Sequence, residues 1–208
     1  MPVKPAYSPE PEDQKEYTQK FDRFYTRFAP FYDRLVKWFP LWRNWLQKAL
    51  PHLQGPRVLE ISFGTGYLLT QYADHFEIYG IEYNKTMALT AQGNLEQVGL
   101  KANLQVGDVA ALPYASGSFD TIVNTMAFTG YPDATQALSE MRRVLRPGGK
   151  LVMIDVNYPA NSNWPGLLFT RAWAAGGDII RDMGDLFQQF EFTFAETEIG
   201  GFGSIHLY

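Results

Sequence analysis

The residues whose types and spacing carry the most chemistry are three carboxylates and a pair of glycines. Glu60 opens the stretch EISFGTGYLL, in which Gly64 and Gly66 are one residue apart. Glu82 closes a second apolar run, and Asp108 closes a third, directly behind Gly107. Glycine has no Cβ, so Gly64 and Gly66 let backbone approach a ligand closely. A helix starting behind them would present free N–H groups. A carboxylate at the end of the following strand can accept bonds from both hydroxyls of a ribose. Taken singly, each feature has a plainer explanation, a common tight turn or a solvated strand end. Three of them in order are far harder to explain that way.

Such residues must be held by alternating strands and helices, and the pattern of the chain supplies these. RVLEIS reads as a first strand and YLLTQYADHF as a helix; EIYGIEY is a second strand. Asn84 is placed to cap the helix KTMALTAQGNLEQVG. ANLQVGD and FDTIVNTMAF follow as strands three and four. The amphipathic helix ATQALSEMRRVLR ends at Pro147-Gly148-Gly149, and KLVMIDVN is a fifth strand. Residues 165–190 read as helical, with breaks at Gly176-Gly177 and near Gly184. The end, EFTFAETEIGGFGSIHLY, reads as two strands about a Gly200-Gly201 turn. Strands alternating with helices form a mainly parallel α/β sheet with helices on both faces. Ligands of such sheets lie beyond the carboxyl ends of the strands, which points to residues 62–66, 82–84, 108–109, 124–128 and 155–158.

Ahead of this lies a different kind of segment. Residues 1–14 contain four prolines and read as a flexible tail. Residues 15–52 have aromatic residues at helical spacing, with Tyr17, Phe21, Phe24, Tyr25 and Phe28 on one face, and Pro30 and Pro40 are expected to divide them into two or three helices. The remainder, 53–208, is one domain. The 208 residues are 46% hydrophobic and 19% charged, an ordinary globular balance, with aromatics high at 15%. Net charge is −4, which argues against a nucleic-acid partner. Between Glu16 and Leu50, however, seven basic residues face three acidic ones. The absence of cysteine excludes disulfides and thiolate chemistry and suits a cytoplasmic setting. His52, His75 and His206 lack metal-ligand spacing, so no metal site is expected. His206 reads as a sheet histidine. No signal core or membrane span is visible.

VLEISFGTG, GIEYN, GDVAALPYASGSFDTIV and LSEMRRVLRPGGKLVMID, in that order, resemble the successive motifs of a class I S-adenosylmethionine-dependent methyltransferase. The subgroup most similar holds the ubiquinone/menaquinone C-methyltransferases and the bacterial phosphatidylethanolamine N-methyltransferases. The likeness spans about residues 20–158. It implies a Rossmann-like sheet of seven strands with an antiparallel last strand, and S-adenosyl-L-methionine as cofactor. It also implies roles. Gly64, Thr65 and Gly66 would face the methionine part, with Glu60 behind them. Glu82 would bind the ribose, Tyr83 would pack on the adenine, and Asp108 with the Val109 N–H would meet the adenine edge. Asn124 and Thr125 would contact the methionine moiety. FYTRFAPFYDRL resembles a tyrosine-bearing lid, so Tyr25 and Tyr32 would close over the cofactor.

Ser62 departs from the glycine usual at its position in that family. Its side chain is expected to bond the cofactor's carboxylate or nearby backbone. Leu69 stands where a dinucleotide fingerprint needs its third glycine, which disfavours a nicotinamide enzyme. A catalytically silent cofactor-binding or scaffold protein of the same fold remains the other reading.

Methyl transfer from a sulfonium is an in-line displacement that mainly needs positioning and desolvation. A base is required only for a protonated nucleophile. The acceptor, a small molecule or a lipid such as a quinol-like ring or a phospholipid amine, is expected among Tyr25, Tyr32, Phe128, Tyr131, Asp155, Asn157 and Tyr158. Tyr32, Asp155 and Tyr158 are the catalytic candidates, and Asp155 reads equally well as a structural strand end. The basic, aromatic N-terminal helices could also touch an anionic membrane surface. Nothing in the sequence fixes the oligomeric state.

Overall fold

A computed structural model describes residues 7–208. Its centre is a seven-stranded sheet made from β1 (Arg57–Ile61), β2 (Glu77–Glu82), β3 (Asn103–Val106), β4 (Phe119–Thr125), β5 (Leu145–Val156), β6 (Thr197–Gly200) and β7 (Ile205–Leu207). The strand order is β3-β2-β1-β4-β5-β7-β6. The first five strands pair in parallel, and β7 runs antiparallel to both β5 and β6. The order reverses at β1 and β4, where the strand ends diverge and leave a crevice.

The central strands are near-continuous apolar runs because both of their faces are covered. Side chains alternate, so Val58 points to one core and Leu59 and Ile61 to the other. On the first face lie α2 (Pro40–Gln47) and α3 (Lys85–Gln97), and on the second lie α4 (Ala134–Val144) and α6 (Met183–Gln189). Glu60 shares the alternation of Val58 and enters the first core as its buried acid.

Three expectations about elements need correction. α1 (Gln14–Trp38) is one helix that passes through Pro30. A proline inside a helix forfeits a backbone bond and costs ~3 kcal/mol, but here tertiary bonds hold α1 on both sides of it. Asn84 Nδ2 reaches Asp22 and Thr26 before the proline, and Asn94 pairs with Asp33 and Lys37 after it. Pro40 does mark a boundary, because it starts α2 behind the extended Phe39. Secondly, YLLTQYADHF forms only a short 3-10 turn, Leu69–Gln71. The Thr70 hydroxyl bonds the Tyr67 carbonyl and competes with the helix ladder, while Tyr72 turns inward to Glu60. Thirdly, Gly184 lies inside α6 and breaks nothing. The break falls between α5 (Trp164–Ala175) and α6, around Gly177 at φ +114°, and Asp182 caps α6.

The segment ahead of α1 is also tied in place. Ser8 exchanges two bonds with Ile180, and Glu10 grips the Arg181 guanidinium at 2.7 and 2.9 Å. Residues 1–6 of the expected tail lie outside the described residues.

Candidate active site

The crevice at the carboxyl ends of β1, β2 and β4 is a cavity of about 530 Å³, roofed by α1. Glu82 is on its wall. The carboxylate is buried, yet Oε2 accepts the Gly64 N–H at 3.0 Å and Oε1 accepts the Asn84 N–H at 2.9 Å. Burial raises its pKa, against the pull of those backbone donors. Two carboxylate oxygens offer about four lone-pair directions, so both retain capacity for ligand hydroxyls. Gly64 has φ +56°, and a Cβ there would meet nothing closer than the Tyr32 ring at 3.9 Å. The two glycines of the turn therefore serve different ends. Gly64 opens the backbone toward the cavity, whereas a Cβ on Gly66 would strike Ala91 of α3 at 2.8 Å. Gly66 permits close helix packing and does not line the cavity.

Ser62 occupies a left-handed backbone at φ +55°, a conformation that costs a serine ~1–2 kcal/mol. Its hydroxyl lies 2.7 Å from the Tyr131 hydroxyl, which also accepts a bond from Asn124 Nδ2 at 2.7 Å. That chain fixes Tyr131 in the cavity wall and accounts for a serine where glycine would be unstrained. Asn124 is wholly buried and spends its amide on Ile61 O and Tyr131. It is behind the wall, and Thr125 is on it. Thr65, Tyr83, Asp108 and Val109 are on the wall too. Asp108 accepts the Ala110 N–H and caps the turn Val109–Ala111.

Glu60 also reaches the cavity, with Oε2 accepting the Tyr72 hydroxyl at 2.5 Å. Burial pushes its pKa up to about 8, so it is largely protonated at neutral pH. Tyr25 and Tyr32 of α1 stand over the turn with their rings edge to face at 6.0 Å. Burial raises both phenols far above neutrality. Asn94 joins this lid to the floor, since its Nδ2 reaches both Asp33 Oδ1 and the Thr65 carbonyl at 2.8 Å.

The acceptor side differs from expectation. Asp155 does not line the cavity. Its carboxylate takes bonds from Thr129 N, Thr129 Oγ1 and Val156 N, and burial raises its pKa to about 6. Asn157 is turned to Tyr208, Phe128 is core, and Tyr158 packs on Tyr7 away from the cavity. His206 lies in β7 against Glu196. The sequence reading missed Asp178, Asp22 and Asn94. Asp178 and Asp22 are on the cavity wall. For Asn94 a signal existed, because asparagine is a poor residue for a helix interior and its presence there implies tertiary bonds.

Among the described residues the wall carries the acidic side chains of Asp22, Glu82, Asp108, Asp133 and Asp178, beside the largely protonated Glu60, against the single ammonium of Lys15. That balance suits a cationic ligand carrying hydroxyls, and S-adenosylmethionine is one. Residues 59–153 match the family model described as a methyltransferase domain. The chain carries a class I methyltransferase domain. It is 33% identical over 158 residues to the demethylmenaquinone methyltransferase of Deinococcus radiodurans, covering 72% of this chain and 65% of that protein. The chain thus spans just under two thirds of that relative's length. Among solved structures, a geranyl diphosphate methyltransferase with GPP and sinefungin superposes with a TM-score of 0.71 at 15% identity, over 85% of this chain and 80% of that one. The cyclase SpnF does so equally, with a TM-score of 0.71 at 18% identity, over 93% and 79%. These two likenesses concern the fold, and one fold hosts several chemistries.

Proposed function

We propose that this protein transfers the methyl group of S-adenosyl-L-methionine to an apolar acceptor, a quinol-like ring in preference to a phospholipid amine. The observation that carries this reading is the Glu82 carboxylate, clamped between the N–H groups of Gly64 and Asn84 in an acid-lined cavity. The relative's name points the same way. When bound, the cofactor supplies an activated methyl group. The chain's part is to hold it and exclude water. Glu82 would accept the ribose hydroxyls, Tyr83 and Asp108 would border the base, and the open backbone at Gly64 and Thr65 would admit the methionine end. Tyr25 and Tyr32 would close over the sulfonium, where neutral ring faces favour positive charge. Dry surroundings strengthen each of these contacts.

A peripheral contact with anionic membranes fits the same protein. At 100° per residue, Lys20, Arg23, Phe24, Arg27, Phe28, Phe31, Arg34 and Trp38 fall within about 140° of the α1 circumference. Phe31 is 66% and Trp38 82% exposed, and the four basic residues of this face are exposed beside them. A basic face with exposed aromatics is the pattern of an interfacial helix. Among the described residues no helix is long and apolar enough to cross a membrane.

The test is turnover. Release of S-adenosylhomocysteine is measured against quinols, phenols, phosphatidylethanolamine and small amines. Release with a reduced quinol supports the proposal. Cofactor binding without release in any of these arms identifies a silent binding protein and removes the enzyme reading.

A further inference from the structure

Among the described residues, the exposed members of the cavity wall are Gln14, Lys15, Gln19, Tyr83 and Asp108. They stand on the first turns of α1 and just past the ends of β2 and β3, so the cavity opens to solvent there. Gln14 Nε2 lies 3.5 Å from the Pro132 carbonyl across this mouth, a long contact that holds little. A stronger tie lies just ahead of α1. Arg181 is 6% exposed, and its guanidinium meets Glu10 Oε1 and Oε2 at 2.7 and 2.9 Å. Its other bonds go to the Phe128 carbonyl at 3.3 Å and the Tyr131 carbonyl at 2.5 Å. One buried side chain thus joins the strap before α1 to the turn that carries Tyr131.

The two ends of this joint differ. Arg181 is buried among the carbonyls that it holds, whereas the Glu10 side chain is 54% exposed. Water can take over the bonds of Glu10 but not those of Arg181 to Phe128 and Tyr131, so the joint parts at Glu10. α1 itself is held unevenly. From Asp22 onward it is pinned to α3 by Asn84 and Asn94. Ahead of Asp22 its ties run instead to the 177–181 segment. The Tyr17 hydroxyl donates to the Gly177 carbonyl at 2.9 Å, and Ser8 exchanges two bonds with Ile180. The part of α1 that is free to swing therefore carries Gln14, Lys15, Thr18 and Gln19 of the cavity wall. Asp22 is the hinge, since pinning starts there. Hinges of this kind sit at a few positions beside a fixed element.

We propose that Glu10 and Arg181 form a latch across the mouth of the cavity, and that its opening sets the rate at which the cofactor enters and its demethylated product leaves. Closed, the latch holds the first turns of α1 against the 128–133 segment and keeps water from the site. Open, it frees those turns, while Arg181 stays with Phe128 and Tyr131 and keeps the Ser62–Tyr131 side of the wall in place. Motions of this kind govern turnover in many enzymes. The latch rests on the reading of this cavity as the S-adenosylmethionine site and adds to it the way in and out.

The probe is tritiated S-adenosylhomocysteine, whose charges cancel, so that long-range steering of it is small. Association and dissociation rates are read by rapid filtration, the second by chase with unlabelled ligand. The ligand passes only through the open state, so Glu10→Gln should raise both rates about tenfold and keep Kd within about threefold. Salt screens the half-exposed pair, so the native rates should rise from low to high salt and those of Glu10→Gln should stay flat. Glu12→Gln, which removes another exposed acid of the same strap, should behave as the native protein does. A faster dissociation alone, with Kd weakened to match, would make Glu10 a plain structural contact and overturn the proposal. Unchanged rates in Glu10→Gln overturn it too, as does an equal effect of Glu12→Gln. Absence of binding to the native protein is a different result and removes the cofactor reading on which the latch rests.

Discussion

At the scale of single residues, the site depends on polar atoms that each do two things. Ser62 accepts a strained backbone and gains the Tyr131 bond. Ser62→Gly relieves strain of ~1–2 kcal/mol and gives up a bond of ~1 kcal/mol, so the urea midpoint should hardly move. Tyr131→Phe removes only the bond and leaves Asn124 and Ser62 short of a partner. It should lose ~1–3 kcal/mol by the same measurement; equal midpoints for the two variants would contradict the account. The places of Gly64, Glu82 and Asp108 on the cavity wall were legible because a strand end, a turn and a carboxylate leave a local pattern, and that of Tyr83 followed from the family resemblance. Asp178 was not, since its place on the wall goes with a bond to Thr129, far away in the chain, and no local pattern records that contact. Asp155 misled for the opposite reason. Its place at a strand end was right, but the Thr129 loop folds over it.

Among elements, α1 carries the largest difference between sequence and structure. Proline is a local rule, and the bonds that override it at Pro30 come from Asn84 and Asn94 on α3. Asn84 is also the cap of α3 through Met87 N. Asn84→Ala should therefore do more than remove a cap, which is worth ~1 kcal/mol. Limited proteolysis should cut α1 faster in this variant, and cofactor affinity should fall with it. A variant whose α1 resists protease as the native protein does would show that the lid is held elsewhere. The strand sequence and α3 and α4 were readable from periodicity and caps. The helix expected after the glycine turn was not, because Thr70 and Tyr72 spend their hydroxyls on tertiary and local bonds.

For the whole molecule, buried acids set the response to pH. Glu60 ionises near 4.5 when unfolded and near 8 when folded. Between these values the folded state binds more protons, so this group's contribution to stability falls as pH rises and is lost above about 8. Asp155 acts in the same direction between 3.8 and about 6. The urea midpoint should drop from pH 6 to pH 8.5, and Glu60→Gln should flatten that slope; a slope unchanged by the substitution would place its cause elsewhere. The uneven charge distribution has its own consequence. The native protein should co-float with phosphatidylglycerol vesicles, less so in high salt, and Phe31→Ser with Trp38→Ser should abolish it. Flotation that survives both substitutions would remove α1 as the contact.

The central claim is that the Glu82 edge holds S-adenosylmethionine, and calorimetry tests it most directly. The account predicts one molecule bound per chain and an affinity about 100-fold weaker in Glu82→Ala, since charge-assisted bonds are worth ~1.5–3 kcal/mol each. Absence of heat with the native protein, or an unchanged dissociation constant in Glu82→Ala, would contradict it.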